Sequence, residues 1–136
     1  MYHSLKTINW SKLRYNNKNW HLSDEFDLYI KGDDQHPSPA HLQMAQEVIG
    51  DIEAVSSRAI EFLKMFLKLE GTWELNTLDF GCCFSNAKYD FEFTFDFEDR
   101  SNKYEYVYTY FVVSFDIQEL GGERLYKPQR MEIGFR

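Results

Sequence analysis

The chain has few of the residues that would give it away: in 136 residues there are two cysteines, three prolines and seven glycines. The cysteines, Cys82 and Cys83, are adjacent, and neighbours seldom reach disulfide geometry, so a disulfide-stapled secreted domain is excluded. No run approaches the roughly 20 apolar residues that cross a bilayer. The start, Met1 to Trp10, has polar residues where a secretory signal needs its apolar centre. A cytoplasmic location without membrane contact is therefore expected. Cations are also scarce, with 15 Lys and Arg against 22 Asp and Glu for a net charge of −7. Phosphate binding depends on clustered Lys and Arg, so no nucleic-acid partner is expected. A phosphate-loop glycine pattern, a dinucleotide fingerprint, a nucleophile elbow and paired CxxC motifs are all missing. No catalytic residue and no cofactor can be nominated.

Core material is plentiful. Hydrophobic residues make up 43% and aromatic ones 18%, enough for one self-sufficient domain spanning residues 1–136. Charge is unevenly spread: Lys6, Lys12, Arg14 and Lys18 give the first 20 residues +4, so the remaining 116 must carry −11 to reach the total of −7. Those four cations are read as a solvated face.

Strand patterns run from Leu5 to Tyr15 and from Trp20 to Lys31, where Phe26, Leu28 and Ile30 alternate with Asp27, Tyr29 and Lys31. Asn16 to Asn19 suits the turn between them. Ser38 followed by Pro39 matches a helix N-cap with proline at the first helical position. Apolar or small residues then recur at spacings of three and four, from Leu42 through Ala45, Ile49, Ile52, Ala59 and Leu63 to Phe66, with Gly71 as the expected stop. A helix of about 32 residues would be roughly 48 Å long, longer than a sphere of about 37 Å for this chain. It must overhang, kink or break, and Gly50 and the Ser56, Ser57 pair are the weak points. Four further strands are expected over Thr72 to Phe84, Tyr89 to Glu98, Tyr104 to Ile117 and Arg124 to Phe135. The expected class is α+β: an antiparallel sheet of five or six strands packed on one long helix, kinked or broken, in the order strand, strand, helix, meander.

The stretch from Tyr89 to Ile117 decides which face meets water. Tyr89, Phe91, Phe93, Phe95 and Phe97 point one way; Asp90, Glu92, Thr94, Asp96 and Glu98 point the other. With a three-residue loop at Arg100, Ser101 and Asn102, Phe91 faces Phe111, Phe95 faces Val107 and Tyr89 faces Val113. Glu98 then lies by Tyr104, Asp96 by Tyr106, Thr94 by Tyr108 and Glu92 by Tyr110. A two- or four-residue loop would instead bury the tyrosines and strand Val107, Phe111 and Val113 in water. The three-residue loop is preferred, and it makes Asp90, Glu92, Asp96, Glu98, Tyr104, Tyr106, Tyr108 and Tyr110 the candidate partner-binding surface.

Other groupings read as structural. His36 and His41 near Asp33 and Asp34 match no established metal-site spacing, and acids ahead of a helix suit its dipole. Cys82 and Cys83 lie in an acidic neighbourhood that does not activate thiols. Tyrosine supplies stiff contact area, and an acid field steers a basic partner, so the surface fits a protein partner or self-association.

The segment NWHLSDEFDLYIKG, the P-x-x-x-Q helix opening at Pro39 and Gln43 and the aromatic C-terminal meander resemble a group of small acidic bacterial proteins, some of which look like immunity proteins encoded beside secreted toxins. That resemblance implies a cytosolic protein that neutralises a toxin by binding, with no catalytic residues to carry over. Charge points to a basic, nuclease-like toxin. At fold level, a curved sheet around a long helix also resembles the cystatin-like cone, whose open end hosts ligands or acid/base chemistry. In that alternative, Trp10, Trp20, Trp73, His21 and Asp79 are the residues to inspect.

Overall fold

Seven strands lie side by side in sequence order in the computed structural model, which describes residues 2–68, 70–81, 88–99 and 109–135. A short helix α1 (His3–Lys6) and a 3-10 turn (Trp10–Lys12) precede β1 (Arg14–Asn16), β2 (Asn19–Ser23) and β3 (Asp27–Lys31). Helices α2 (Pro39–Gly50) and α3 (Ile52–Phe66) follow, then β4 (Gly71–Phe80), β5 (Phe91–Asp99), β6 (Thr109–Leu120) and β7 (Glu123–Phe135). Every neighbouring pair is antiparallel except β3 and β4.

This corrects the expected class: the sheet is mixed and has seven strands, and two helices replace the single long one. The reason is topological. The helix pair carries the chain from the end of β3 back to β4, whose residues 77–80 lie beside β3, and such a crossover makes the two strands parallel. The cone analogy, which needs an antiparallel sheet around one long helix, falls with it.

The helix breaks at Asp51 (φ −110°, ψ 24°), whose N–H turns back to the carbonyls of Val48 and Ile49. Gly50, exposed and beside the break, supplies the local weakness. The resulting pieces of 12 and 15 residues are about 18 and 22 Å long at 1.5 Å per residue, short enough to lie across the sheet. Gly71 does not stop the helix. It opens β4, where a Cβ would run into the Glu98 carbonyl and the Phe97 ring, so glycine serves close strand approach there.

The front of the chain also differs. In place of one strand over Leu5 to Tyr15 there are the end of α1, the 3-10 turn and the start of β1, with Leu5 buried, Tyr2 Oη 2.7 Å from Ser56 Oγ, and Lys6 Nζ 2.8 Å from Glu53 Oε1. The Trp20 to Lys31 pattern contains a turn, closed by the Asp24 N–H donating to the Phe26 carbonyl, and becomes the β2–β3 hairpin. Asn17 (φ 50°) and Lys18 (φ 78°) form the two-residue turn between β1 and β2 in the mirror-image conformation that matches strand twist.

One face of the sheet carries the core. Leu28, Ile30, Leu78, Phe80, Phe93, Phe95, Phe111, Val113 and Phe115 have no exposure, and Val48, Ile52, Val55, Ala59 and Leu63 of the helices meet them. Phe91 stacks on Phe115 with centroids 4.8 Å apart, and Trp73 meets Phe111 edge-on at 4.9 Å. Each buried phenylalanine stabilises by roughly 1.5 to 3 kcal/mol. Phe66, which the sequence places on the apolar stripe of the helix, is the last residue of α3 and is 58% exposed.

The β5–β6 register differs from expectation by four residues: Phe91 faces Phe115, Phe93 faces Val113 and Phe95 faces Phe111. An even shift leaves every side chain on its expected face, which is why the apolar pattern cannot detect it. The expected loop and the partner expected for Phe95, Val107, lie outside the described residues.

Candidate functional site

The sheet face turned away from the helices carries a polar row crossing all seven strands. Register places Arg14, His21, Tyr29, Asp79, Glu92, Ser114 and Arg130 successively opposite one another. The next row holds Ser23, Asp27, Thr77, Thr94, Val112 and Glu132. Each of these residues occupies the polar phase of its strand, so alternation alone sends it to this face.

The middle of the first row is unusually dry. Asp79 is 3% and Glu92 4% exposed, side by side on β4 and β5. The Ser114 hydroxyl, itself buried, donates to Glu92 Oε2 at 2.7 Å. Buried carboxylates are tolerated only where hydrogen-bonded or paired, and such donors hold them in place. Tyr29 flanks Asp79, and its ring is stacked on His21 at 4.3 Å with the planes 3° apart. His21 Nε2 in turn lies 2.9 Å from Asp27 Oδ1.

Between the two rows is a hollow of about 290 Å³. Thr77, Thr94 and Val112 share its lining with the carboxylates of Asp79, Glu92 and Glu132, and the rings of Tyr29 and Tyr110 flank it. Tyr110 lies over Gly134, where a Cβ would meet the ring, so the absence of a side chain on β7 makes room for the phenol.

The eight nominated residues separate. Glu92 and Tyr110 belong to the hollow. Asp96 is half-buried beside it and accepts from Asn76 Nδ2 at 2.7 Å, while Glu98 is exposed opposite Thr72. Asp90 is used structurally: its Oδ2 accepts the Ile117 N–H at 2.7 Å and its own N–H donates to the Phe115 carbonyl. Tyr104, Tyr106 and Tyr108 lie outside the described residues, as do Cys82 and Cys83. Glu92 and Thr94 face Ser114 and Val112, not the Tyr110 and Tyr108 expected. The sequence does not nominate Tyr29, Thr77 or Glu132, and Asp79 only for a pocket: the parallel β3–β4 pairing that sets Tyr29 beside Asp79 leaves no local mark on the sequence, and Glu132 joins them only through the β6–β7 register.

The remaining polar clusters are bound into the fold. Asp33 Oδ1 accepts the N–H groups of Gln35 and His36, which hold its carboxyl below the usual carboxylate range. His36 Nδ1 is 3.0 Å from the Pro37 carbonyl and His41 Nδ1 is 2.8 Å from Ser38 Oγ. Among the described residues no three of His, Cys, Asp and Glu gather to hold a metal ion. Of the early cations, Lys6 pairs with Glu53, while Lys12 and Arg14 line a groove between the N-terminal segment and β2. No helix among the described residues is long and apolar enough to cross a membrane.

No family model, no curated protein and no solved structure matches the chain.

Proposed function

We propose that this protein is a recognition domain that binds a basic protein partner on the sheet face opposite its helices, in the manner of an immunity protein that neutralises a basic toxin in the cytoplasm. The observation that carries this reading is the pair of almost fully buried carboxylates, Asp79 and Glu92, set in a hollow between two tyrosine rings. A basic side chain entering it would meet carboxylates in a drier setting than bulk water, where charge attraction is stronger. The rings supply stiff contact area and cation–π faces, and the overall charge of −7 steers a cationic partner toward the protein.

The test is a titration of the labelled protein with oligo-arginine and oligo-glutamate peptides, followed by amide NMR shifts. Oligo-arginine should perturb Tyr29, Thr77, Thr94 and Glu132 together, oligo-glutamate should not, and Thr94→Arg, which places a guanidinium in the hollow, should abolish the response. Shifts scattered over the whole acidic surface, or unchanged by Thr94→Arg, would refute the site. For the biological reading, the gene beside this chain should encode a basic toxin whose toxicity is lost when the natural protein is co-expressed and regained with Thr94→Arg.

A further inference from the structure

Strand β1 is shorter than the strand it covers. It pairs with β2 only over Asn19, Trp20 and His21, so Leu22 and Ser23 have no β1 residue beside them. Ahead of Arg14 the chain turns away through the 3-10 turn toward the helices, where Leu5 is buried and Tyr2 meets Ser56. A groove of about 680 Å³ remains between that segment and the end of β2, room enough for a small organic molecule. It shares no lining residue with the acidic hollow.

The groove gathers positive charge in an acidic protein. Lys12 and Arg14 line it, and among the described residues neither has a carboxylate partner. Arg14 Nη1 donates to the carbonyls of Ser11 and Leu13 at 2.8 and 2.9 Å, which anchors the guanidinium while its other N–H groups meet no acceptor among the described residues. An anchored guanidinium presents a planar fork suited to phosphate and loses less freedom on binding than a loose one. The hydroxyls of Ser4 and Ser23, which make no hydrogen bond among the described residues, add neutral donors. Ile8, Leu22 and Phe26 make part of the wall apolar. Asp24 is the one acid in the lining and pairs with neither cation.

We propose that this groove binds a small organic phosphate, with the phosphoryl group on Lys12 and Arg14 and the carbon skeleton against Ile8 and Leu22. A phosphoryl group brings three acceptor oxygens and so uses more of these donors than the two oxygens of a carboxylate. The net charge of −7 opposes a long polyanion, whose charge would extend past the groove over the acidic surface. A ligand whose charge stays inside the groove avoids that repulsion, because salt screens it within about 8 Å.

Amide NMR of the labelled protein in about 0.15 M sodium chloride, which screens loose surface attraction, tests the site. Phenyl phosphate should shift Ile8, Asn9, Leu22 and Ser23 along one saturable curve. Inorganic phosphate should shift the same residues with a higher dissociation constant, and benzyl alcohol, a ring without charge, should shift none of them. Lys12 makes no hydrogen bond among the described residues, so Lys12→Glu changes charge without disturbing the fold and should weaken phenyl phosphate roughly tenfold or more. The same reversal at Lys127, across the sheet on β7, should change the constant less than about twofold. No saturable shift below about 10 mM phenyl phosphate, equal shifts with benzyl alcohol, inorganic phosphate binding as tightly as phenyl phosphate, or equal losses in Lys12→Glu and Lys127→Glu would each overturn the proposal.

Discussion

Replacing Ser114 by alanine removes one oxygen atom from the driest part of the polar row. Ser114 is 1% and Glu92 4% exposed, and the hydroxyl lies 2.7 Å from Glu92 Oε2. Alanine fits the same space, so packing is almost unchanged and the lost hydrogen bond dominates. A hydrogen bond to a charged acceptor contributes about 1.5 to 3 kcal/mol, and a loss of about 2 kcal/mol is expected. With an unfolding entropy of about 2.1 cal/mol/K per residue, a chain of 136 residues should melt about 7 °C lower. Urea unfolding followed by fluorescence of the three tryptophans measures the same loss, with an unchanged denaturant slope. The partner is identified by a double-mutant cycle: in a Glu92→Gln background the cost of Ser114→Ala should fall by at least about 1 kcal/mol. A loss under about 0.5 kcal/mol, or no coupling between the two positions, would show that the Glu92 carboxylate does not depend on this donor.

Two further changes probe the scaffold. Gly50 lies at the end of α2, where a Cβ would meet nothing within 4 Å, so Gly50→Ala should stabilise by about 0.5 to 1 kcal/mol in urea unfolding, and a loss would show that the break at Asp51 needs glycine's freedom. His41 has its pKa held below its ordinary 6.5 by burial and, to a lesser extent, by the charge of Lys31, with Asp90 opposing. The unfolded chain therefore takes up this proton first as pH falls, and stability present above pH 6.5 is lost as pH drops through the depressed folded value. His41→Gln should reduce the loss in urea midpoint between about pH 7.5 and 5.5, and equal losses in both proteins would refute the assignment.

What the sequence discloses depends on how local each feature is. Alternation in Phe91, Phe93 and Phe95 marks the buried face of β5, and the polar phase marks Glu92 and Asp96 as residues of the other face, because two-residue periodicity is a property of the strand itself. Register is different. A shift of four in the β5–β6 pair preserves every face, so only contacts distant in sequence decide it. The parallel β3–β4 pairing is likewise invisible from within either strand. It brings Tyr29 beside Asp79 across fifty residues of loop and helix, and so the hollow cannot be assembled from local patterns. Gly71 shows the same limit: after an apolar helix a glycine reads as a stop, but its neighbours across the sheet, Phe97 and Glu98, determine its role. Helix α1 is four residues long and is held by tertiary partners such as Ser56 and Glu53. Isolated helices of that length do not persist in water.

The single parallel junction has a kinetic meaning. β4 to β7 pair as consecutive neighbours, whereas both helices lie between β3 and β4 in the chain. Loop-closure entropy delays such distant pairings relative to local ones. In refolding, the segment from Gly71 onward should acquire exchange protection first, and the pairing of Tyr29 with Asp79 should be among the last events recorded. The acidic hollow would then exist only in chains that have finished folding, and a nascent or partly folded copy would hold one wall of it without the other.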